Sequence, residues 1–278
     1  MSLPSVPLTF SAVDELGFAA ARGLVGPTQM PNLYSPKQLG PLLEFLLLAE
    51  GGYLPPYAVS AWLVPNGAAP MIQAIHDNRE QWLSPGNRRM GFIRAIRQGP
   101  NADSLFTSFL MDVQRAARDV AQLPGTTPGQ LAAAMEELEN NIHEHSDAAQ
   151  TGLVAFRAAR GIFEFVAADR GIGILTSLRK CPAYLGLSDC GAALESALKD
   201  GTSRFGSDSS RGHGFRPIFL GLANLQGSLR FRSGDHALLM DGTSPDLTTA
   251  QLAQKPPIDG FFASIRCLAG GSNLQQVG

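Results

Sequence analysis

Charge of one sign is not in excess in this chain. Its 22 lysines and arginines nearly cancel its 24 aspartates and glutamates, leaving a net charge of −2. That balance removes any global electrostatic case for nucleic acid or anionic lipid as a partner. Cysteine is scarce as well. Cys181, Cys190 and Cys267 are an odd set without paired metal-ligand spacing, which argues against a disulfide framework and suits reduced thiols in a cytosolic protein. Long apolar runs are missing. The most apolar stretch, 42–48, is interrupted by Glu44 and is far shorter than the roughly 20 residues that a membrane-spanning helix needs. The first residues hold no basic segment followed by an apolar one, so no secretion signal is expected. No internal repeat and no low-complexity tract is found. The expected setting is therefore cytoplasmic, without a membrane-bound sensor. What remains is a globular chain of 278 residues, 44% apolar and 17% charged, long enough for a real core.

The residues from Thr127 to Gly214 organise the rest. Leu131, Met135, Leu138 and Ile142 recur at i, i+4, i+7 and i+11, one apolar face of a helix. Glu137, Asn141 and His145 stack one turn apart on another face. Thr127 suits the cap, Pro128 the first helical position, and Gln130 completes a capping box. Two glycine clusters follow. Asp169-Arg-Gly171-Ile-Gly173 comes straight after the apolar run 162–168, and Gly212-His213-Gly214-Phe215 leads into the apolar segment 218–222.

In order, spacing and residue type these three patterns resemble the histidine-kinase-like (GHKL) ATPase superfamily. Glu137-Leu-Glu-Asn-Asn141-Ile-His-Glu-His145-Ser146 resembles its N box, Asp169-x-Gly171-x-Gly173 the first glycine box, and Gly212-His213-Gly214-Phe215 the second. Each pattern is weak alone; three in the right order are not. The resemblance covers roughly residues 103–269. It implies a two-layer α/β sandwich of the Bergerat type, a mixed sheet with helices on one face and ATP held between helices and a lid. Residues 103–278 would form that ATPase domain, and residues 1–100 a separate small α/β domain.

The resemblance also implies roles. Asn141 would hold Mg²⁺, which usually takes only one or two protein oxygens besides phosphate. Glu137 would act as general base toward a water or hydroxyl attacking the γ-phosphate. Asp169 would accept a hydrogen bond from the exocyclic amine of adenine, with Gly171 and Gly173 letting the backbone approach the base. His145, Gly212, His213, Gly214 and Phe215 complete the implied nucleotide site, the last four before a helix expected at Pro217. The interval between Gly173 and Gly212 would be the lid. Glu144 stands where many members carry a basic residue, and Phe261 follows Gly260 where the family often has threonine.

The implied activity is an ATP-binding, Mg²⁺-dependent kinase or ATPase in signalling, closest in style to anti-sigma-factor serine/threonine kinases. Its partner would be a small phospho-acceptor protein or a sigma factor, and a homodimer is allowed. The alternatives are an ATP-gated interaction module without turnover, or a histidine kinase with His76 as acceptor. His76, His143 and His145 also raise a metal site, against which packing of the N-box helix is preferred.

Elsewhere the pattern predicts a helix at 39–50, a buried strand at 58–64, a helix at 71–83 and a solvated arginine-bearing helix face at 87–98. It predicts one amphipathic helix at 103–122, capped by Asp103 or Ser104, and a hairpin of strands 151–158 and 162–168. A helix is expected near 190–199. Strands are expected at 227–232, 237–240 and 261–268, the second pairing with the first, and a frayed tail from Gly270.

Overall fold

The computed structural model describes residues 5–24, 33–55, 57–64, 67–95, 102–198, 227–240 and 250–269. The fold is mixed α/β, with eight α-helices and eight strands among those residues. Strands β1 (Ser5–Pro7) and β2 (Leu33–Ser35) form a small parallel pair. The main sheet contains β3 (Gln81–Leu83), β4 (Met90–Arg94), β5 (Leu153–Ala159), β6 (Ile162–Asp169), β7 (Ser228–Met240) and β8 (Gln251–Leu268). Their order is β3-β4-β5-β6-β8-β7, and every neighbouring pair is antiparallel.

Helices cover both faces, which corrects the expectation of helices on one face only. Side chains alternate along each strand. Phe163, Phe165 and Ala167 of β6 enter one core, while Val166 and Ala168 enter the other. The first core is closed by α5 (Ala102–Arg115), α6 (Thr127–His145), α7 (Gly173–Leu178) and α8 (Cys190–Ala197). The second is closed by α1 (Phe10–Ala21), α2 (Leu39–Glu50), α3 (Ala58–Trp62) and α4 (Ala69–His76). The sheet also runs across the boundary expected near residue 100, because β3 and β4 pair onto β5.

Helix α2 lies along β6 and is held at one end by that strand and at the other by the residue that follows it. The Leu39 N–H, at the start of α2, donates to Glu164 Oε2 at 3.3 Å. At the other end Arg170 Nη1 donates to the Glu50 carbonyl at 2.8 Å. A carboxylate at a helix N-terminus and a guanidinium at its C-terminus both complement the helix dipole. The lengths match: 12 helical residues rise about 18 Å, and six strand residues span about 20 Å. Deeper on this face, Arg230 donates from Nε to Glu44 Oε2 and from Nη2 to Glu44 Oε1, both at 2.8 Å. Arg230 also reaches Asp14, Arg232 reaches Glu44, and Lys255 lies 2.8 Å from Asp14.

Several local expectations change. Helix α6 begins at Thr127 itself, so Thr126 is the cap residue and no side chain caps it; the predicted capping box is absent. The Thr127 N–H is taken by the Pro124 carbonyl, and the Gln130 N–H by the Thr126 carbonyl. The strand expected at 58–64 is the short helix α3, which buries Ala58 and Trp62 one turn apart. The helix expected at 71–83 stops at His76, because Asn78 takes a left-handed conformation (φ 55°), and Gln81–Leu83 turns into β3. The arginine-bearing segment at 87–98 is not helical where described: it supplies β4, with Met90 and Phe92 buried. The helix expected at 103–122 starts at Ala102, placing Asp103 in its first turn, and ends in a π-helical turn, Ala116–Val120. Residues 237–240 do not pair with 227–232. Residues 228–232 and 237–240 both belong to β7, which is bulged around Ser233 and Gly234 and pairs with a longer β8 than the 261–268 expected.

Candidate functional site

Helix α6 carries its apolar stripe inward. Leu131, Met135, Leu138 and Ile142 are all buried against β5, β6 and α5. The stripe fixes the roll of the helix, and so fixes where its polar residues stand. Glu137 is half-buried, and Asn141, one turn on, is buried. Asn141 Nδ2 finds no hydrogen-bond partner among the described residues. His145 lies in the last turn, half-buried, and His143 pairs through Nε2 with buried Glu139 at 2.7 Å.

Asp169 ends β6 opposite Phe261 of β8. Its Oδ1 accepts the Gly171 N–H at 2.7 Å, and its carboxyl also accepts the Phe261 N–H. Oδ2 is buried with no partner among the described residues. Burial pushes this carboxyl up to about 7, and the two backbone donors only partly offset it. A carboxyl removed from water, with one oxygen unused, is costly for folding alone and is a common mark of a binding site.

The first glycine box is joined to the N-box helix directly. The Ile172 N–H donates to the Ser146 carbonyl at 2.9 Å. Gly171 lies so close to that carbonyl that a Cβ there would run into it. Asn141 precedes Ser146 by five residues, about 7.5 Å along a helix axis. Gly173 starts α7 at φ 71°, and a Cβ on it would come within 2.9 Å of Ser233 Oγ. That hydroxyl accepts the Ile174 N–H at 2.9 Å and donates to the Gly260 carbonyl at 2.8 Å. Ser233 thus ties α7 to β7 and β8. Sequence reasoning missed it, because a serine in an alternating strand carries no signal of what lies across from it.

The structure brings the N box and first glycine box together at Ser146. The second glycine box, Gly212, His213, Gly214 and Phe215, lies outside the described residues, as do the helix expected at Pro217, most of the second half of the expected lid, and the tail from Gly270. Of the expected lid, α7 and α8 are described, α8 ending at Ala197. Where it can be seen, the corner leaves one buried carboxylate oxygen of Asp169 free to accept a donor, and the Asn141 amide buried with its Nδ2 unpaired among the described residues, while Gly171 and Gly173 are required by close packing on Ser146 and Ser233. His76 ends α4 with its side chain 80% exposed. No group of three or more metal-ligating side chains occurs among the described residues. No helix among them is long and apolar enough to cross a membrane. No family model, curated protein or solved structure matches the chain.

Proposed function

We propose that the chain is an ATP-binding signalling protein of the histidine-kinase-like type, with Mg²⁺-dependent kinase or ATPase activity. The observation that carries this is the Asp169 corner. A buried carboxyl with an unused oxygen sits beside two glycines, on a loop that bonds directly to the end of the Glu137–Asn141 helix. Asp169 would accept the exocyclic amine of adenine, and the carbonyl that guanine presents there would be rejected. Asn141 would give its amide oxygen to Mg²⁺, which neutralises phosphate charge when bound. Glu137 would orient and deprotonate the attacking water or hydroxyl. The style of the N box favours anti-sigma-factor serine/threonine kinases, with a small phospho-acceptor protein or a sigma factor as partner.

A second reading, an ATP-gated interaction module without turnover, is favoured by Phe261. It is buried and packs edge-on to Phe231, so no hydroxyl stands where the family often places threonine. One pair of measurements separates the two. Glu137→Gln keeps shape and removes the carboxylate, so a fluorescent ATP analogue should bind as before while phosphate release or transfer falls by about 100- to 10,000-fold. Absence of turnover by the wild type with any partner, together with unchanged partner switching in Glu137→Gln, sinks the enzyme reading. Equal stabilisation by Mg-ATP and Mg-GTP sinks the adenine assignment.

A further inference from the structure

The turn that ends α2 touches both chain segments framing Asp169. On one side Arg170, between Asp169 and Gly171, donates to the Glu50 carbonyl at 2.8 Å, with the Glu50 carboxylate 3.8 Å from its Nη2. On the other side Tyr53 donates its hydroxyl to Asp259 Oδ1 at 2.9 Å. Asp259 directly precedes Gly260, which lies against Asp169. Residues 50–53 therefore hold the loop after β6 and the facing part of β8 at once. The turn is itself braced, since the Tyr53 and Leu54 N–H groups both donate to the Leu48 carbonyl, at 2.9 and 3.1 Å. Behind it α2 is fixed to β6 at its far end by Glu164.

We propose that Tyr53 and Arg170 are positioning residues for base recognition, through which the N-terminal layer sets the affinity and base selectivity of the nucleotide site. The inference rests on the nucleotide reading of Asp169 given above. Neither bond is needed to bury a core, and both lie at exposed positions, where a single hydrogen bond contributes little to stability. Their geometry matters for a different reason. A carboxylate that receives one amine hydrogen must be held within about 0.5 Å of its working place. Asp169 and Gly260 belong to neighbouring strands paired through Asp169 and Phe261, and the braced turn ties the ends of both strands from outside that ladder. By linkage, whatever tightens the turn favours nucleotide, and nucleotide tightens the turn.

The test uses the full chain with Mg-ATP and Mg-GTP titrations on wild type, Tyr53→Phe, Asp259→Asn, Arg170→Gln and Arg170→Lys. Tyr53→Phe and Arg170→Gln should weaken ATP about three- to tenfold with little change for GTP, lowering the ATP-to-GTP preference. The nucleotide-free Tm should stay within about 2 °C of wild type. Arg170→Lys should recover part of the loss, and Tyr53→Phe with Asp259→Asn should lose no more than either alone. Hydrogen exchange at the Tyr53 and Leu54 amides should slow when ATP binds. ATP and GTP affinities equal to wild type in both Tyr53→Phe and Arg170→Gln, or exchange unchanged by ATP, overturn the proposal. Asp169→Ala tells the two failures apart. If wild type binds ATP, Asp169→Ala does not, and the Tyr53 and Arg170 variants do, positioning alone is refuted. If wild type binds no ATP, the nucleotide reading falls and this inference falls with it.

Discussion

Against α5 and α6 the sheet presents Phe156, Phe163 and Phe165. Against α1 and α2 it presents Phe92 and Phe262 with Glu164, Arg230 and Arg232 among them. The first face is sealed by area and shape. It would tolerate a slightly altered helix position, because apolar contact is non-directional. The second is sealed by a network whose members need one alignment. Arg230 and Arg232 share Glu44, and Arg230 also shares Asp14 with Lys255. Buried ion pairs add little net stability, but they penalise every misaligned alternative. The N-terminal helices are thus docked in register, while α6 is docked by bulk.

Glu44→Ala should give the largest effect. Two buried guanidiniums would lose their shared carboxylate, a cost of about 5 kcal/mol, read as a fall in the urea midpoint. Replacing Glu44, Arg230 and Arg232 together by apolar residues should recover most of that loss. A triple variant as unstable as Glu44→Ala would show that the network contributes net stability rather than alignment.

Asp169→Asn should move stability the other way. The folded carboxyl titrates at about 7 against an ordinary 3.8, because it is buried. Its contribution is fully present below the unfolded value, is lost as pH rises between 3.8 and about 7, and is flat above. At pH 8 the charged form costs about 4 kcal/mol, so the asparagine variant should be more stable there, with the gap closing toward pH 4. The same variant should lose the ATP-dependent rise in Tm. Wild-type ATP affinity should fall as pH drops below about 7, since a proton on the carboxyl's free oxygen leaves it unable to accept the amine hydrogen there. Denaturation and ATP titration between pH 5 and 8.5 check both signs.

Leu138→Ala, on the apolar face, should cost about 3 kcal/mol by leaving a cavity, without altering nucleotide selectivity. Smallest of all, Thr127→Ala should cost less than about 1 kcal/mol, because its side chain caps nothing. A full cap-sized loss in thermal unfolding would restore the capping box.

Much of this architecture could be read from residue patterns where elements are long. The stripe of α6, helix α2 and the β5–β6 hairpin follow from apolar spacing, and all three form as expected. Short elements misled. Residues 58–64 are apolar enough for either strand or helix, and only contact with β2 and α2 decides. The left-handed Asn78 that ends α4 has no apolar signature at all. At the candidate site, Asp169, Gly171 and Gly173 were legible because tight backbone approaches demand glycine. Ser233, Tyr53 and the Glu50 carbonyl were not, because their roles depend on partners far away in the chain.

The cysteines, first noticed for their scarcity, make the unmodified chain its own reporter. Cys267 is fully enclosed in the core, and burial pushes its thiol up to about 12, so it is closed to alkylating dyes while the fold holds. Cys181 and Cys190 are partly open, and both lie in the stretch that runs from α7 into α8, just after the first glycine box. A thiol-reactive fluorophore added to native protein therefore marks that stretch alone. Its emission would report rearrangement around the candidate site at Asp169 without a single engineered residue, and sudden labelling of Cys267 would time the opening of the core.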